Sequence, residues 1–264
     1  MGAALEVIAG RVVAPGATLT PWTVNTGNSL TIRNAPLDRR IYIVQAWAVN
    51  QAAGILRIRS PKLHDNVQGI RLRVTAARGF PLFPSPVMQT VTPQDVLTVE
   101  QSGSATAEDV EMGALLIFYE DLPGIDARLM RAEDVLPRVK HIFTVENTLT
   151  VGTTGDWSGE EAINSEFDLF KANTDYALLG YRVSTRCGTV RYRGADTGNL
   201  GVGGPGEPEL NWLLGYWFVH LSQTYALPTI PIFNSANKQG ILIDAHQDEN
   251  GTAVTVTSIF AELE

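Results

Sequence analysis

Short runs in which apolar and polar residues alternate recur along most of the chain. A period of two is typical of β-strands with one buried and one wet face, and clusters of Pro, Gly, Asn and Asp separate the runs. In the first part of the chain the pattern predicts strands over 29–33, 40–50, 54–60, 69–76, 87–90, 95–101 and 110–119. In the second part it predicts strands over 140–145, 166–170, 176–184, 189–193, 211–222, 231–234, 240–245 and 252–263. The pattern is that of an all-β protein.

One part of this pattern is present twice. Residues 41–60 and 176–194 each begin with an apolar run and continue with Gly-x-x-Arg-x-Arg. The matched arginines are Arg57 with Arg191 and Arg59 with Arg193. Further matches follow in the same order: Trp22 with Trp157, 96–99 with 241–244, and 117–118 with 259–260. Since so many matches in one order are hard to obtain by chance, we interpret the chain as a diverged tandem duplication.

The duplication predicts two domains, over 1–122 and 139–264, joined by a linker over 123–138. A chain of 264 residues is long enough for two domains of ordinary size. The strands predicted in each half fit a jelly roll, in which two four-stranded sheets pack face to face. Residues 126–136 have helical composition and Pro137 follows them, so we expect a partly helical linker. The predicted fold is therefore two tandem eight-stranded jelly-roll β-sandwiches.

Two segments are candidates for contact with other molecules. Residues 4–13 form an apolar opening that is either a first strand or an arm reaching a neighbour. Residues 195–209 form a Gly-rich segment without a counterpart in the first half, and such an insertion is expected at the surface. The candidate contact residues in these segments are Leu5, Val7, Ile8, Leu200 and Val202.

Basic residues crowd one stretch of the first half. The group comprises Arg57, Arg59, Lys62, Arg71, Arg73 and Arg78, with Asp65 as the only acidic residue between positions 54 and 79. One interpretation is a solvated strand face. A second is contact with a neighbouring subunit, because the whole chain is acidic, with a net charge of −8. A phosphate or nucleic-acid surface is less favoured, since no aromatic residues alternate with these charges.

Composition narrows the function further. Charged residues make up 18% of the chain, below the usual quarter, which indicates that neighbours or uncharged loops cover much of the surface. The acidic balance argues against nonspecific nucleic-acid binding by the whole chain. The single cysteine, Cys187, excludes an intrachain disulfide and a cysteine metal site. We expect neither a secretory signal nor a membrane-spanning segment.

The residues that could carry chemistry do not form a recognisable site. The histidines His64, His141, His220 and His246 lack metal-ligand spacing, and the segment 198–206 lacks the ending of a phosphate loop. Ser158 is not in a nucleophile elbow, and the acids Glu160, Glu161, Glu166 and Asp168 are typical of solvated faces. The tryptophans Trp22, Trp47, Trp157, Trp212 and Trp217 are better explained by core or subunit packing than by sugar stacking. We therefore predict no catalytic residue, cofactor or metal, and a protein that is not an enzyme.

Two consecutive jelly rolls with a short partly helical linker resemble the double jelly-roll major capsid proteins of icosahedral viruses, the lineage of tailless membrane-containing bacteriophages and adenovirus. The resemblance lies in architecture and length and covers the whole chain. It implies a homotrimer whose six jelly rolls form a pseudo-hexagonal tile in a virion shell assembled in the host cytoplasm. Its implied partners are neighbouring trimers, other capsid proteins such as a vertex protein, and an enclosed membrane, without sequence-specific nucleic acid.

In this interpretation the subunit contacts fall on Leu5, Val7, Ile8, Arg57, Arg59, Arg71, Arg73, Leu200 and Val202. Two other functions stay open. A carbohydrate-binding or adhesin-like double sandwich would use exposed tryptophans. A two-jelly-roll hydrolase would need carboxylates that converge between the halves.

Overall fold

The computed structural model describes residues 2–25, 29–63, 66–76, 78–150, 152–163, 170–247 and 252–264. Within these ranges the chain is predominantly β, with several antiparallel sheets, as the all-β prediction requires. The predicted strand over 166–170 lies outside the described residues except for Phe170. His64, Asp65, Glu166 and Asp168 also lie outside the described residues.

The strands of the first half form two sheets. They are β1 (Ala4–Val13), β2 (Thr20–Pro21), β3 (Thr23–Val24), β4 (Ile41–Val49), β5 (Gly54–Arg59), β6 (Ile70–Val74), β7 (Gln89–Val91), β8 (Thr98–Ser102) and β9 (Val110–Tyr119). One sheet has the order β3-β1-β9-β4-β7 and the other β2-β8-β5-β6. The apolar opening is thus a strand of the large sheet, since β1 pairs with β9 along its whole length and with β3 at Gly10 and Arg11. The predicted strand over 29–33 is reduced to one bridge, between Thr31 and Val96.

The second half repeats this arrangement with short helices added. Its elements are β10 (Leu129–Met130), α1 (Ala132–Val135), β11 (Val139–Leu149), β12 (Glu161–Ala162), β13 (Asp175–Val183), β14 (Cys187–Arg193), β15 (Val202–Gly206), α2 (Asn211–Leu214), α3 (Trp217–Tyr225), β16 (Ile230–Asn234), β17 (Leu242–His246) and β18 (Val254–Leu263). The sheet orders are β10-β16-β13-β18-β11 and β12-β17-β14-β15. Three 3-10 turns occur, at Leu136–Arg138, Pro208–Leu210 and Ser235–Gly240.

Both halves pair their strands in the same nested way. In the first half β1 pairs with β9, β2 with β8, β4 with β7 and β5 with β6. In the second half β11 pairs with β18, β12 with β17, β13 with β16 and β14 with β15. Even an irregularity repeats: the β4–β9 register shifts between Ile43 and Gln45, and the β13–β18 register between Leu178 and Gly180. Because a bulge is a specific local feature, its repetition aligns the halves residue by residue.

One further predicted element differs from the structure. The strand predicted over 211–222 is wrong, because this segment forms the helices α2 and α3. Trp217, Phe218, Leu221 and Tyr225 recur at helical spacing and are buried on one side of α3. In the linker, Leu129–Met130 pairs with β16, Ala132–Val135 is α-helical and a 3-10 turn follows.

The hydrophobic cores show how the halves are joined. One cluster fills the first half, around Ile8, Ile41, Leu56 and Ile58. The larger cluster combines the interior of the second half with the outer side of the first half's large sheet. That outer side is lined by Leu5, Val7, Ala9, Val44, Trp47, Ala114, Leu116 and Phe118. The two halves are therefore packed against each other through an apolar sheet face.

Candidate assembly surfaces

The contact between the halves places a large sheet on a small one. The outer side of β1, β4 and β9 faces β14 and β15. The Val7 amide donates a hydrogen bond to the Gly201 carbonyl at 2.8 Å. Trp47 Nε1 donates to the Gly188 carbonyl at 2.9 Å, and its ring meets that of Trp217 edge to face. Each half thus presents a different surface to the other.

The Gly-rich segment is part of this contact and not a surface insertion as expected. Val202–Gly206 is the buried strand β15, paired with β14 in the place that β6 takes beside β5. A Cβ atom at Gly204 would collide with the Trp217 and Tyr181 side chains, and one at Gly206 with Cys187. Three of its five residues are glycines because the neighbours leave no room for side chains there, and this removes the alternation that identifies a strand from sequence.

The five apolar contact residues predicted from the sequence are buried in the two cores. Leu5 and Val7 are 0% and 1% exposed and pack in the core shared with the second half. Ile8 points the other way, into the first half's core. Leu200 and Val202 are 4% and 1% exposed. These five side chains are packed within one chain, so they offer no surface to a second copy.

The predicted arginines remain together on one sheet face. Arg57 and Arg71 are direct cross-strand neighbours, and Arg73 lies opposite Ile55 on the same side. We call Arg57, Arg59, Arg71 and Arg73 the arginine face. Arg71 and Arg73 are exposed, whereas Arg57 and Arg59 are partly covered and both bind Glu100, at 2.5 Å and 3.1 Å. Leu56 and Ile58 alternate with the arginines of β5 and are buried on the other side of the strand, as the alternation predicted.

An equivalent ion pair occurs in the second half, but in drier surroundings. Arg191 lies opposite Asp244 as Arg57 lies opposite Glu100, and Arg191 Nε donates to Asp244 at 2.9 Å. The Trp157 ring covers the Arg191 guanidinium at 3.8 Å from the ring centre. The side chains of Arg191 and Asp244 are 8% and 3% exposed, because the first half covers this sheet.

The difference in burial sets the pKa of each carboxyl group. Burial raises the pKa of Asp244 above its ordinary value, and the hydrogen bonds from Arg191 oppose this without cancelling it. Burial also acts to raise the pKa of Glu100, but the hydrogen bonds from Arg57 and Arg59 outweigh it and the pKa is lowered. The contact between the halves therefore changes the chemistry of a repeated ion pair.

A histidine lies in the same contact. His246 Nε2 is 2.9 Å from the Gly155 carbonyl, and burial lowers the pKa of His246 to about 4. The charged groups that act on it are Asp156, Arg11 and Arg191. We call Arg11, Asp156, Arg191, Asp244 and His246 the polar seam; it is one group of titratable residues in the contact between the halves.

The carboxylates near the seam are each paired with an arginine. Asp156 pairs with Arg11, Glu160 with Arg193 and Asp244 with Arg191. A hydrolase would need carboxylates that converge on an open cleft, and these pairings do not favour one. Among the described residues no group of His, Cys, Asp and Glu could hold a metal ion. In the same part of the chain no helix is long and apolar enough to cross a membrane.

The tryptophans divide between core and surface. Trp47 and Trp217 are fully buried, and Trp22 is nearly so. Trp157 is half-buried and lies over Arg191. Trp212 is 66% exposed on α2, with Tyr216 40% exposed nearby, so Trp212 is not the buried strand residue that the sequence suggested.

Comparison with known proteins adds little. No protein-family model and no curated protein matches the chain. The PBSX exported protein XepA has a TM-score of 0.27 and 10% identity, over 97% of this chain and 86% of that one. The structure of the Macrobrachium rosenbergii nodavirus has a TM-score of 0.23 and 11% identity, over 99% of this chain and 98% of that one. The major capsid protein P2 of bacteriophage PM2 has a TM-score of 0.20 and 7% identity, over 99% of this chain and 98% of that one. At TM-scores this low, the similarities carry no argument about function.

Proposed function

We propose that each half of the chain is a jelly roll. The support is the nested pairing, in which the first of eight strands pairs with the last, the second with the seventh, the third with the sixth, and the fourth with the fifth. This pairing rolls a long antiparallel ribbon into two four-stranded sheets. The strands β3 and β10 then count as additions at the sheet edges.

We propose further that the protein is a structural major capsid protein that works by self-assembly and has no enzymatic activity. The observation that carries this proposal is the contact between the halves. Two similar sandwiches meet through different surfaces, the outer side of β1, β4 and β9 on one and β14 with β15 on the other. A contact of this head-to-tail kind forms closed rings or open filaments when it is repeated.

A ring of three chains contains six sandwiches and fills a six-cornered space. The proposed assembly is therefore a homotrimer that forms a pseudo-hexagonal tile of an icosahedral shell. Its proposed partners are neighbouring trimers, a vertex protein and an internal membrane, and its location is the virion after assembly in the host cytoplasm.

Mass measurement and imaging of the purified full chain test this function. We expect particles of three times 28.7 kDa in mass photometry, with a six-cornered outline in negative-stain electron micrographs. Larger shells are expected to contain this tile as their repeating unit. A chain that stays monomeric over a wide range of protein and salt concentrations contradicts the proposal.

A further inference from the structure

The repeated pairing shows which surfaces of the two halves correspond. Arg57 lies opposite Arg71, and Arg191 opposite Gly203. Since Arg57 and Arg191 are equivalent, Gly203 occupies the position of Arg71. In the same register, Gly201 corresponds to Gly69 and Pro205 to Arg73. The arginine face of the first half thus corresponds to the surface of the second half that is closed by the intrachain contact.

The other side of the contact has a counterpart too. Through the shared bulge, Ile117 corresponds to Phe260, and these residues pair with Glu6 on β1 and Phe143 on β11. The residues on the outer side of β11 therefore correspond to those on β1 as follows: Ile142 to Leu5, Thr144 to Val7 and Glu146 to Ala9.

In the second half the β11 part of this side is open. Strand β11 is at the end of its sheet, and its outer side carries Ile142, 62% exposed, with Thr144 and Glu146 also exposed. We call these three residues the β11 face. In the first half the same positions are covered: Leu5 is 0% exposed, and the Val7 amide is bonded to Gly201. The chain thus contains one closed contact and the two separate surfaces of an equivalent open one.

The side chains of the open surfaces are complementary in charge. The closed contact brings β1 against β15, with Ala9 on the outer side of β1 and Gly203 in β15. The corresponding positions on the open surfaces are Glu146 and Arg71, and the latter is flanked by Arg73. Opposite charges at corresponding places promote docking in one register and oppose the wrong one.

We infer that the β11 face of one chain docks on the arginine face of a second copy, in the geometry by which the first half docks on the second within one chain. This inference rests on the proposed function, since it names the surfaces that close the ring. The Thr144 amide then donates to the Gly69 carbonyl of the neighbour, Ile142 becomes buried, and Glu146 meets Arg71. The edge strand β11 gains this backbone hydrogen bond from the neighbour, which covers part of an exposed edge.

A charge swap tests the inference. We expect Glu146→Arg and Arg71→Glu each to weaken trimer formation by about tenfold or more in dissociation constant. The double variant carries both changes in every copy, so it restores the opposite charges and returns association to within about threefold of the original. Both side chains are exposed in the single chain, so the fold is kept and can be checked by circular dichroism.

Two further variants show whether association depends on the charge at position 146 or on the net charge of the chain. Glu146 accepts a hydrogen bond from Thr257 at 3.1 Å, and Glu146→Gln keeps this acceptor while removing the charge, so it weakens association less than Glu146→Arg. Glu133→Arg makes the same reversal at another exposed site, on α1, and leaves association unchanged.

The outcomes distinguish the inference from the proposed function. Trimers that tolerate both single variants, or that the double variant fails to restore, overturn the docking surfaces while the capsid function stands. An unmodified chain that never associates overturns both.

Discussion

At the scale of single residues, the repeated Gly-x-x-Arg-x-Arg motif shows how surroundings change one interaction. Arg57 with Glu100 and Arg191 with Asp244 have the same cross-strand geometry. Glu100 is bound by Arg57 and Arg59, whose side chains are 15% and 29% exposed, whereas the first half and Trp157 cover Arg191, whose side chain is 8% exposed. A buried charge that loses its partner costs more than an exposed one, because water cannot replace the partner.

We therefore expect Asp244→Asn to lower the free energy of unfolding by about 3 kcal/mol, because it leaves only Glu160, at 3.9 Å, to balance the Arg191 charge under Trp157. Glu100→Gln is the matched variant, since Arg57 and Arg59 keep contact with water, and we expect it to cost about 1 kcal/mol. Urea unfolding followed by tryptophan fluorescence measures both. Equal costs would show that burial does not distinguish the two pairs.

His246 makes the stability depend on pH. Its pKa falls from the ordinary 6.5 to about 4 on folding, so between these values the unfolded chain binds a proton that the folded chain does not. Stability is therefore lost as pH falls from 6.5 towards 4, by roughly 3 kcal/mol in total from this group.

We expect the variant His246→Gln to keep its stability over this pH range, because its amide does not titrate and can still donate to the Gly155 carbonyl. Urea unfolding at pH 7 and at pH 4.5 measures the difference between the two proteins, and other groups cancel in the comparison. His141→Gln, at an exposed position, serves as the control. An unchanged pH dependence in His246→Gln contradicts the assignment.

At the scale of elements, β15 depends on the absence of side chains. Trp217 Nε1 donates to the Gly203 carbonyl and the Tyr181 hydroxyl to the Pro205 carbonyl, so neither ring can move away from Gly204. We expect Gly204→Ala to cost about 2 kcal/mol of stability through overpacking. Gly159→Ala is the control, since a Cβ there meets nothing within 4 Å. Thermal unfolding compares them, and equal midpoints would contradict the packing argument.

The predicted elements succeed where the pattern is local. Strand β9 occupies the predicted residues 110–119, and β4, β5, β13 and β18 lie within a residue or two of their predictions. The match of 117–118 with 259–260 was one residue out, because the structure aligns Ile117 with Phe260. Two short apolar runs still look similar when their alignment is shifted by one residue, although such a shift moves every side chain to the other face of the strand. Only the paired partners reveal the error.

At the scale of the whole molecule, the asymmetry between the halves is the central feature. The large sheet of the first half is apolar on its outer side and covered, whereas the corresponding part of the second half on β11 carries Thr144, Glu146 and Thr148 and is exposed. A permanent contact within a chain can be apolar, but a surface that meets water before assembly must remain soluble. This difference is expected if the second contact forms between copies.

The sequence by itself determined the all-β class, most strand positions and the presence of a repeat, because alternation and the Gly-x-x-Arg-x-Arg motif are local properties of the chain. It also located the arginine face. Only the tertiary structure decided that Leu5, Val7 and Val202 are buried between the halves, that the Gly-rich segment is a strand, and that α2 and α3 are helices. These features depend on which surfaces meet across long sequence distances, and hydrophobicity at a position does not state what will cover it.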